Sequence, residues 1–542
     1  MTGDAASEMA NASLESLDPA DSGELRRALR RASQVVPLGW SAGGRRFSFQ
    51  APLTLSLPGG GYLLLTAPDG TRFLGQVLER VVTERAGPSW KLDVAAPQSE
   101  GASRVREAQV EMPVRLIEGA GDLLARLDGE DLVPARAEDS FREAELEAAP
   151  ADLVSSYLEV LDSGATRLDI GRAVGGGAGR ARLRAKGFAR HTFLCGQSGA
   201  GKTYALGVVL ERLLLETDLR LVIIDPNGDY VGLREATGRD ELSERYRRVA
   251  RGVRVFSSGH EPPRLRFGQL SPEARAAVVG LDPLSDREEY SAFARLAAGR
   301  DSLADVRDAA VADLTNEGRQ IALRIDNLGV GAWSVWAGPG EPSVLDAVDG
   351  QARAAVIDVS SLDTAGEQAL AASAVLSGLW SRRADRRPAL IVIDEAHNVC
   401  PLRTTDALQA QGRDQVVRIA GEGRKYGLYL LLVTQRPDKL EPNALTQCDN
   451  LVLLRLNGVA DVERIAAAFS FVPRALLGEA PSFAKGEALL AGGIVSRPTR
   501  AAFEGRLSRE GGGDVPTTWT APRRSSRPDP LARNAPTRAP SV

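Results

Sequence analysis

The sequence predicts an α/β domain on a parallel sheet, with an inserted helical subdomain and a small all-β domain ahead of it. Three observations carry this. From residue 189 short apolar runs alternate with helical patterns, as in a parallel sheet with crossover helices. Between about 33 and 135 the apolar residues recur with period two between Gly, Pro and Asp turns, as in a small barrel or sandwich. Between about 262 and 345 lie several helical patterns, too much chain for a connection within a compact sheet.

In chain order, residues 1–32 are polar and rich in Ala, Ser and Asp, which reads as a flexible lead. Residues 33–135 form the β domain. Phe47 and Phe49 alternate with polar residues, and so do Leu53, Leu55 and Leu57. Tyr62–Thr66, Phe73–Val77 and Val110–Leu116 supply further strands. Residues 136–188 read as a linker with helix at Phe141–Ala148 and Asp152–Leu161, then a flexible Gly-rich crossing at Gly175–Gly179.

Residues 189–507 form the α/β domain, with the helical insertion at 262–345. Its strands are expected at Phe193–Cys195, Leu219–Ile224, Ala354–Val359, Ala389–Ile393, Leu428–Val433 and Asn450–Arg455, with edge strands near Glu487–Leu490 and Ala501–Gly505. From 508 to 542 Gly, Pro, Ser, Thr and Arg dominate, which predicts a disordered tail.

The stretch from Gly196 to Thr203 (Gly196, Gln197, Ser198, Gly199, Ala200, Gly201, Lys202, Thr203) fits G-x-x-x-x-G-K-[ST]. An apolar strand leads into it, and Leu206, Val209, Leu210, Leu213 and Leu214 follow with the spacing of one helix face. A Gly-rich turn between strand and helix lets backbone N–H groups surround a polyphosphate at the positive end of the helix. Lys202, one of only six lysines in the chain, falls where it can reach the β- and γ-phosphates of ATP, and the Thr203 hydroxyl can ligate Mg2+.

A second block completes the expected chemistry. Four apolar β-formers run into Asp394 and Glu395, a Walker B pattern. Asp394 would hold the Mg2+ shell, leaving Glu395 free to orient and deprotonate water. Gln435, at the end of a buried strand, is placed to sense the γ-phosphate. Arg190 and Arg424 are candidates for charge on the equatorial oxygens, though in so Arg-rich a chain a solvated surface role is the default reading from the residues alone. His397 has no Cys/His partners nearby and reads as a local hydrogen-bonding residue.

The net charge of −4 excludes a global basic field, so any nucleic-acid contact needs a local patch or an assembled surface. The cysteines at 195, 400 and 448 are widely separated in or beside apolar runs, which suggests reduced thiols in a cytoplasmic protein. The start of the sequence has no apolar signal region, and no apolar run approaches a membrane span.

Taken together, these blocks resemble the HerA family of the HerA–FtsK superfamily of hexameric DNA-translocating ATPases. The matching stretches are Arg190-His191, Asp225–Tyr230, Ile393–Asn398, and Glu422–Gly427 through Thr434–Pro437 to Leu445–Cys448. The resemblance implies a RecA-like P-loop NTPase core and a HAS-barrel in the 33–135 region. It implies catalysis by Glu395, Lys202, Gln435, Arg424 and Arg190, with one or both arginines acting in trans across a subunit boundary. It further implies a homo-hexamer around double-stranded DNA in a central channel, no membrane, and a nuclease or sirtuin-like effector as partner in DNA repair or antiviral defence. The loop after Walker B (Cys400–Arg413) and the helical insert are candidate channel elements. At Asp229 the family usually carries Glu, which leaves the contact made by this shorter side chain open. Two alternatives stay in view: a nucleotide-gated hexameric scaffold for an effector enzyme, and a conjugation- or secretion-type ATPase. The latter usually carry membrane helices.

Overall fold

The structure, a computed structural model, describes residues 35–511 apart from 56, 87–88, 96–104, 112, 130, 176–178, 339 and 351. The expected lead at 1–32, the expected tail from 512 onward and the middle of the Gly-rich crossing lie outside the described residues.

The N-terminal domain contains β1 (Leu38–Ser41), β2 (Arg46–Pro52), β3 (Tyr62–Thr66), β4 (Arg72–Arg85), β5 (Ser89–Ala95), β6 (Val105–Glu111), β7 (Val114–Asp128), β8 (Asp131–Pro134) and β9 (Phe141–Ala148). Pairing runs β2-β1-β9-β3-β4-β7, and β2 also pairs β7 from Arg46↔Asp122 to Pro52↔Leu116, so six strands close into a barrel. β8 adds to β7, while β5 and β6 form a separate ribbon. Alternate residues fill the interior, among them Phe47, Phe49, Leu63, Leu65, Phe73 and Leu146. The Phe47 ring needs a glycine opposite it, since a Cβ at Gly75 would come 2.6 Å from the ring.

Two expectations fail here. Leu53, Leu55 and Leu57 do not lie on a strand: β2 stops at Pro52, Leu55 N–H donates to Pro52 O in a turn, and Leu53 faces solvent. Proline cannot donate to a ladder, so pairing ends there. Phe141–Ala148, expected as helix in a linker, is the strand β9 that closes the barrel between β1 and β3. Its helical propensity yields to the unpaired edges of both neighbours.

Helix α1 (Ala151–Leu161) leads into the α/β domain. The rest of the presumed linker is also structural: β10 (Arg167–Ala173) and β11 (Arg180–Arg184) pair as a hairpin at one edge of the large sheet. That sheet continues with β12 (Thr192–Cys195), β13 (Arg220–Asp225), β14 (Val253–Phe256), β15 (Ala354–Asp358), β16 (Ala389–Ile393), β17 (Leu428–Thr434), β18 (Asn450–Leu454), β19 (Glu487–Gly492) and β20 (Thr499–Phe503). Its order is β11-β10-β20-β19-β18-β12-β17-β16-β13-β15-β14. The stretch from β18 to β14 is parallel, while β19, β20, β10 and β11 extend it antiparallel. β14 is short and was not legible as a strand beforehand.

Both faces of the parallel part are covered, which is why its strands are apolar at every position. Phe193, Cys195, Ile391 and Ile393 enter one core layer, whereas Leu194, Leu390 and Val392 enter the other. Between β14 and β15 lie helices at Pro272–Val278, Arg287–Ala297, Leu303–Ala312, Asn316–Leu328 and Val344–Asp349. They pack on the first of these layers through Phe293, Val306 and Ile321. Ser508–Gly511, assigned to the tail by composition, is held on the domain: Arg509 N–H donates to Glu235 O and Gly511 N–H to Asp229 O.

Candidate nucleotide-binding site

Helix α2 (Lys202–Glu216) follows β12 after the turn Gly196–Gly201. The turn needs its glycines. Gly199 and Gly201 sit at φ 74° and 96°, and a Cβ at Gly196 would lie 2.7 Å from Leu454 Cβ. The loop is pinned from both sides: Gln197 N–H donates to Arg455 O at 2.9 Å, and Gly486 N–H donates to Ala200 O at 2.8 Å. No side chain caps the start of α2, so its first-turn N–H groups stay open to an anion. Among the described residues, Lys202 Nζ donates to the loop's own carbonyl, Gln197 O, at 3.3 Å.

The neighbouring strand ends converge on this loop because the sheet order is β12-β17-β16-β13. At the end of β13, the Asp225 carboxylate accepts from the N–H groups of Asn227 (3.2 Å), Asp229 (3.1 Å) and Tyr230 (2.8 Å). This folds 225–230 into a tight turn and brings Asp229 Oδ2 to 3.2 Å from the Thr203 hydroxyl, which donates to it. The shorter Asp side chain therefore does reach the loop. Burial pushes the Asp225 carboxyl up to about 6, against the pull of those N–H bonds.

At the end of β16, Asp394 N–H donates to Ile224 O at 3.1 Å, and Asp394 Oδ1 accepts from Glu395 N–H at 2.8 Å. Burial, with the carboxylates of Glu395, Asp225 and Asp229 nearby, raises Asp394 to about 7. Glu395 adopts a left-handed backbone at φ 42°, uncommon for a residue with a Cβ. Burial raises its carboxyl as well, and Lys202 opposes the shift. Glu395 Oε2 is buried without a hydrogen-bond partner. His397 Nδ1 lies 3.3 Å from that oxygen but engages the Thr434 hydroxyl at 2.9 Å. Burial, then Arg436, lowers His397 to about 4, so it is neutral and offers Glu395 no charge. Gln435 follows Thr434, which is in register with Cys195 at the mouth of the loop.

This edge suits ATP with a divalent ion. Its open helix start, lysine and unpartnered carboxylate oxygen are the groups a polyphosphate and an attacking water would satisfy. Among the described residues no group of three or more Asp, Glu, His or Cys could hold a metal by itself. An ion held by Thr203 and Asp394 would therefore need phosphate oxygens to complete its shell.

Arg190 and Arg424 are not at this edge. Arg190 ends the turn before β12, and Arg424 lies in the turn Gly423–Tyr426 before β17, so both stand at the opposite, amino-terminal end of the parallel strands. The strand β12 alone separates the two ends by roughly 13 Å. The candidate channel loop folds back at Pro401, which bridges Leu440, and continues into α3 (Ala407–Glu422).

Three features escaped sequence reasoning. Asp449 joins the two arginines. Asp225 shapes the Asp229 turn. Arg506, with its side chain almost wholly enclosed, donates from Nη1 to Thr203 O at 3.1 Å. Asp449 and Arg506 carry no spacing signal. The Asp225–Tyr230 turn itself is legible as an acidic residue at a strand end followed by Pro, Asn and Gly, but not the three N–H groups that the Asp225 carboxylate gathers.

Residues 168–318 match the model of a family described as the central domain of helicase HerA. The DNA double-strand break repair helicase HerA of Sulfolobus acidocaldarius is 32% identical over 164 residues, 28% of this chain and 32% of that protein. The protein of the same name from Pyrococcus furiosus is 23% identical over 388 residues, 57% of this chain and 64% of that protein. The matches thus span about a third and just under two thirds of these two relatives. Among solved structures, VirB4 of Thermoanaerobacter pseudethanolicus superimposes with a TM-score of 0.46 at 17% identity, covering 63% of this chain and 97% of that one.

Proposed function

We propose that this chain, whose residues 168–318 match the HerA central-domain family, is an ATP-hydrolysing DNA translocase or helicase working as a ring with ATP at the subunit boundaries. The observation that carries the reading is the convergence at one sheet edge of the open α2 start, Lys202, Asp394 and Glu395, whose Oε2 is buried and unpartnered. Such an arrangement has groups for phosphate, ion and water.

Bound ATP with Mg2+ supplies a γ-phosphoryl group activated for in-line attack. Lys202 turns from Gln197 O to the phosphates. Thr203 and Asp394 would hold the Mg2+, and Asp229 orients the Thr203 hydroxyl. Glu395 Oε2 accepts the proton of the attacking water. Burial raises this carboxyl, which makes it a better base. Gln435 reads the γ-phosphate from the adjacent strand. Arg190 and Arg424 stand on the far edge of the sheet and serve the neighbouring subunit's site. A ring also reconciles a net charge of −4 with DNA, since a few basic residues per subunit repeat around one channel. A nuclease or sirtuin-like effector is the partner that the family resemblance favours.

The test is ATPase rate with and without double-stranded DNA for wild type and Glu395→Gln. Turnover stimulated by DNA and abolished by the substitution is expected. A wild type that hydrolyses nothing, or a substitution that leaves turnover unchanged, removes the motor reading.

A further inference from the structure

We propose that Asp449 is a positioning residue that clamps Arg190 and Arg424 into one cationic pair for the neighbouring subunit's nucleotide; this rests on the ATPase reading above. The strand order β18-β12-β17 sets three consecutive amino-terminal strand ends side by side. Each presents one charged residue: Asp449 before β18, Arg190 before β12 and Arg424 before β17. A single oxygen, Asp449 Oδ2, accepts from both guanidinium groups, Arg190 Nη1 at 3.2 Å and Arg424 Nη1 at 2.5 Å.

Two guanidinium groups this close repel unless an anion lies between them. Asp449 is that anion, and it leaves the trio with a net charge of +1. Each arginine carries five N–H donors. One bond apiece to Asp449 leaves most of them free to meet phosphate oxygens, so the clamp orients the pair without exhausting it.

Asp449 is itself firmly placed. Its N–H and that of Asn450 donate to His191 O at 3.0 and 3.2 Å. Asn450 Nδ2 donates to Gly187 O and to the Thr192 hydroxyl, both at 3.0 Å. The His191 ring is buried and its Nδ1 accepts from Leu430 N–H at 2.9 Å, tying the start of β17 to the same frame. Burial, then Arg424, lowers His191 to about 4, so the frame carries no charge of its own.

The trio is solvent-accessible, with side-chain exposures of 57% for Arg190, 44% for Asp449 and 37% for Arg424. Exposed ion pairs add little to folding. An arrangement that contributes little to the fold yet aligns two cations on an otherwise separate edge has its effect on another molecule.

The experiment compares ATPase kinetics of wild type, Asp449→Asn and Asp449→Glu, then co-assembles Asp449→Asn subunits with Glu395→Gln subunits. Loss of the clamp is expected to lower kcat about 10- to 100-fold, the scale of misplacing a catalytic group by about 1 Å. KM for ATP should stay within about twofold, because binding lies with the other subunit's loop. Asp449→Glu should recover part of the loss. In the mixture, Glu395→Gln subunits hydrolyse nothing themselves but donate intact clamps. At equal proportions the rate should rise to roughly a quarter of wild type per subunit. Wild-type kinetics for Asp449→Asn, or a mixture no faster than its two components apart, overturns the clamp while the ATPase reading stands. An inactive wild type defeats that reading first, and the clamp with it.

Discussion

The left-handed backbone at Glu395 predicts that its carboxylate is held at a cost to stability. A non-glycine residue at φ 42° is strained by roughly 1–2 kcal/mol. Its Oε2 is buried with no hydrogen-bond partner, which costs about 1–3 kcal/mol more. Glu395→Gly removes both penalties and gives back about 0.5–1 kcal/mol through the freer unfolded chain. The net expectation is a gain of about 1–4 kcal/mol for nucleotide-free protein. Glu395→Gln keeps the backbone strain and removes only the charge, so its gain is smaller. The folded carboxyl titrates above its ordinary value, so the ionised form is what the fold disfavours. The gain from Glu395→Gln should therefore grow as pH rises through that folded value. Urea unfolding of both variants gives the stabilities, and steady-state ATPase gives the turnover. Both should lose about 10²- to 10⁴-fold in kcat, the worth of a general base. A Glu395→Gly protein that unfolds more easily than wild type would refute the strain argument, and a Glu395→Gln protein turning over normally would refute the role.

Two further outcomes follow from the same edge and from the helix behind it. Asp394 is raised to about 7 and Asp225 to about 6, and a carboxyl raised on folding stabilises fully below its unfolded value, then loses that contribution as pH rises through the folded one. Nucleotide-free protein should lose stability across that window in urea titrations at successive pH values, with a flatter slope in Asp394→Asn; equal slopes would count against the cluster. Behind the loop, the fully buried Glu211 of α2 accepts from Leu507 N–H (2.8 Å), Ser508 N–H (2.8 Å) and the Ser508 hydroxyl (2.6 Å). Truncation after Glu504 leaves this carboxylate buried without those partners, a loss of about 3–5 kcal/mol. Urea unfolding should show it, with partial recovery when Glu211→Leu is added, whereas an unchanged midpoint would mean that the segment does not brace α2.

The strand–turn–helix around Gly196–Thr203, the strand running into Asp394 and Glu395 and the run of buried strands were legible in the sequence, because these depend on local chemistry. Gly196–Thr203 needs glycines at fixed positions beside a lysine, and a strand covered on both faces must be apolar throughout. Phe141–Ala148 was misread because an eight-residue run without strict alternation suits helix or strand equally, and only the open edges of β1 and β3 settle it. Residues 167–184, expected within a linker, are strands because β10 pairs Ala501–Phe503 of β20, a partner that a Gly-rich crossing does not reveal. What tertiary structure alone decided is which ends of the strands face one another. Strand order gathers Lys202, Asp229, Asp394, Glu395 and Gln435 at the carboxyl edge, and the same order sends Arg190, Arg424 and Asp449 to the opposite one. Residues 259 positions apart, such as Arg190 and Asp449, meet there through pairing that no local pattern encodes.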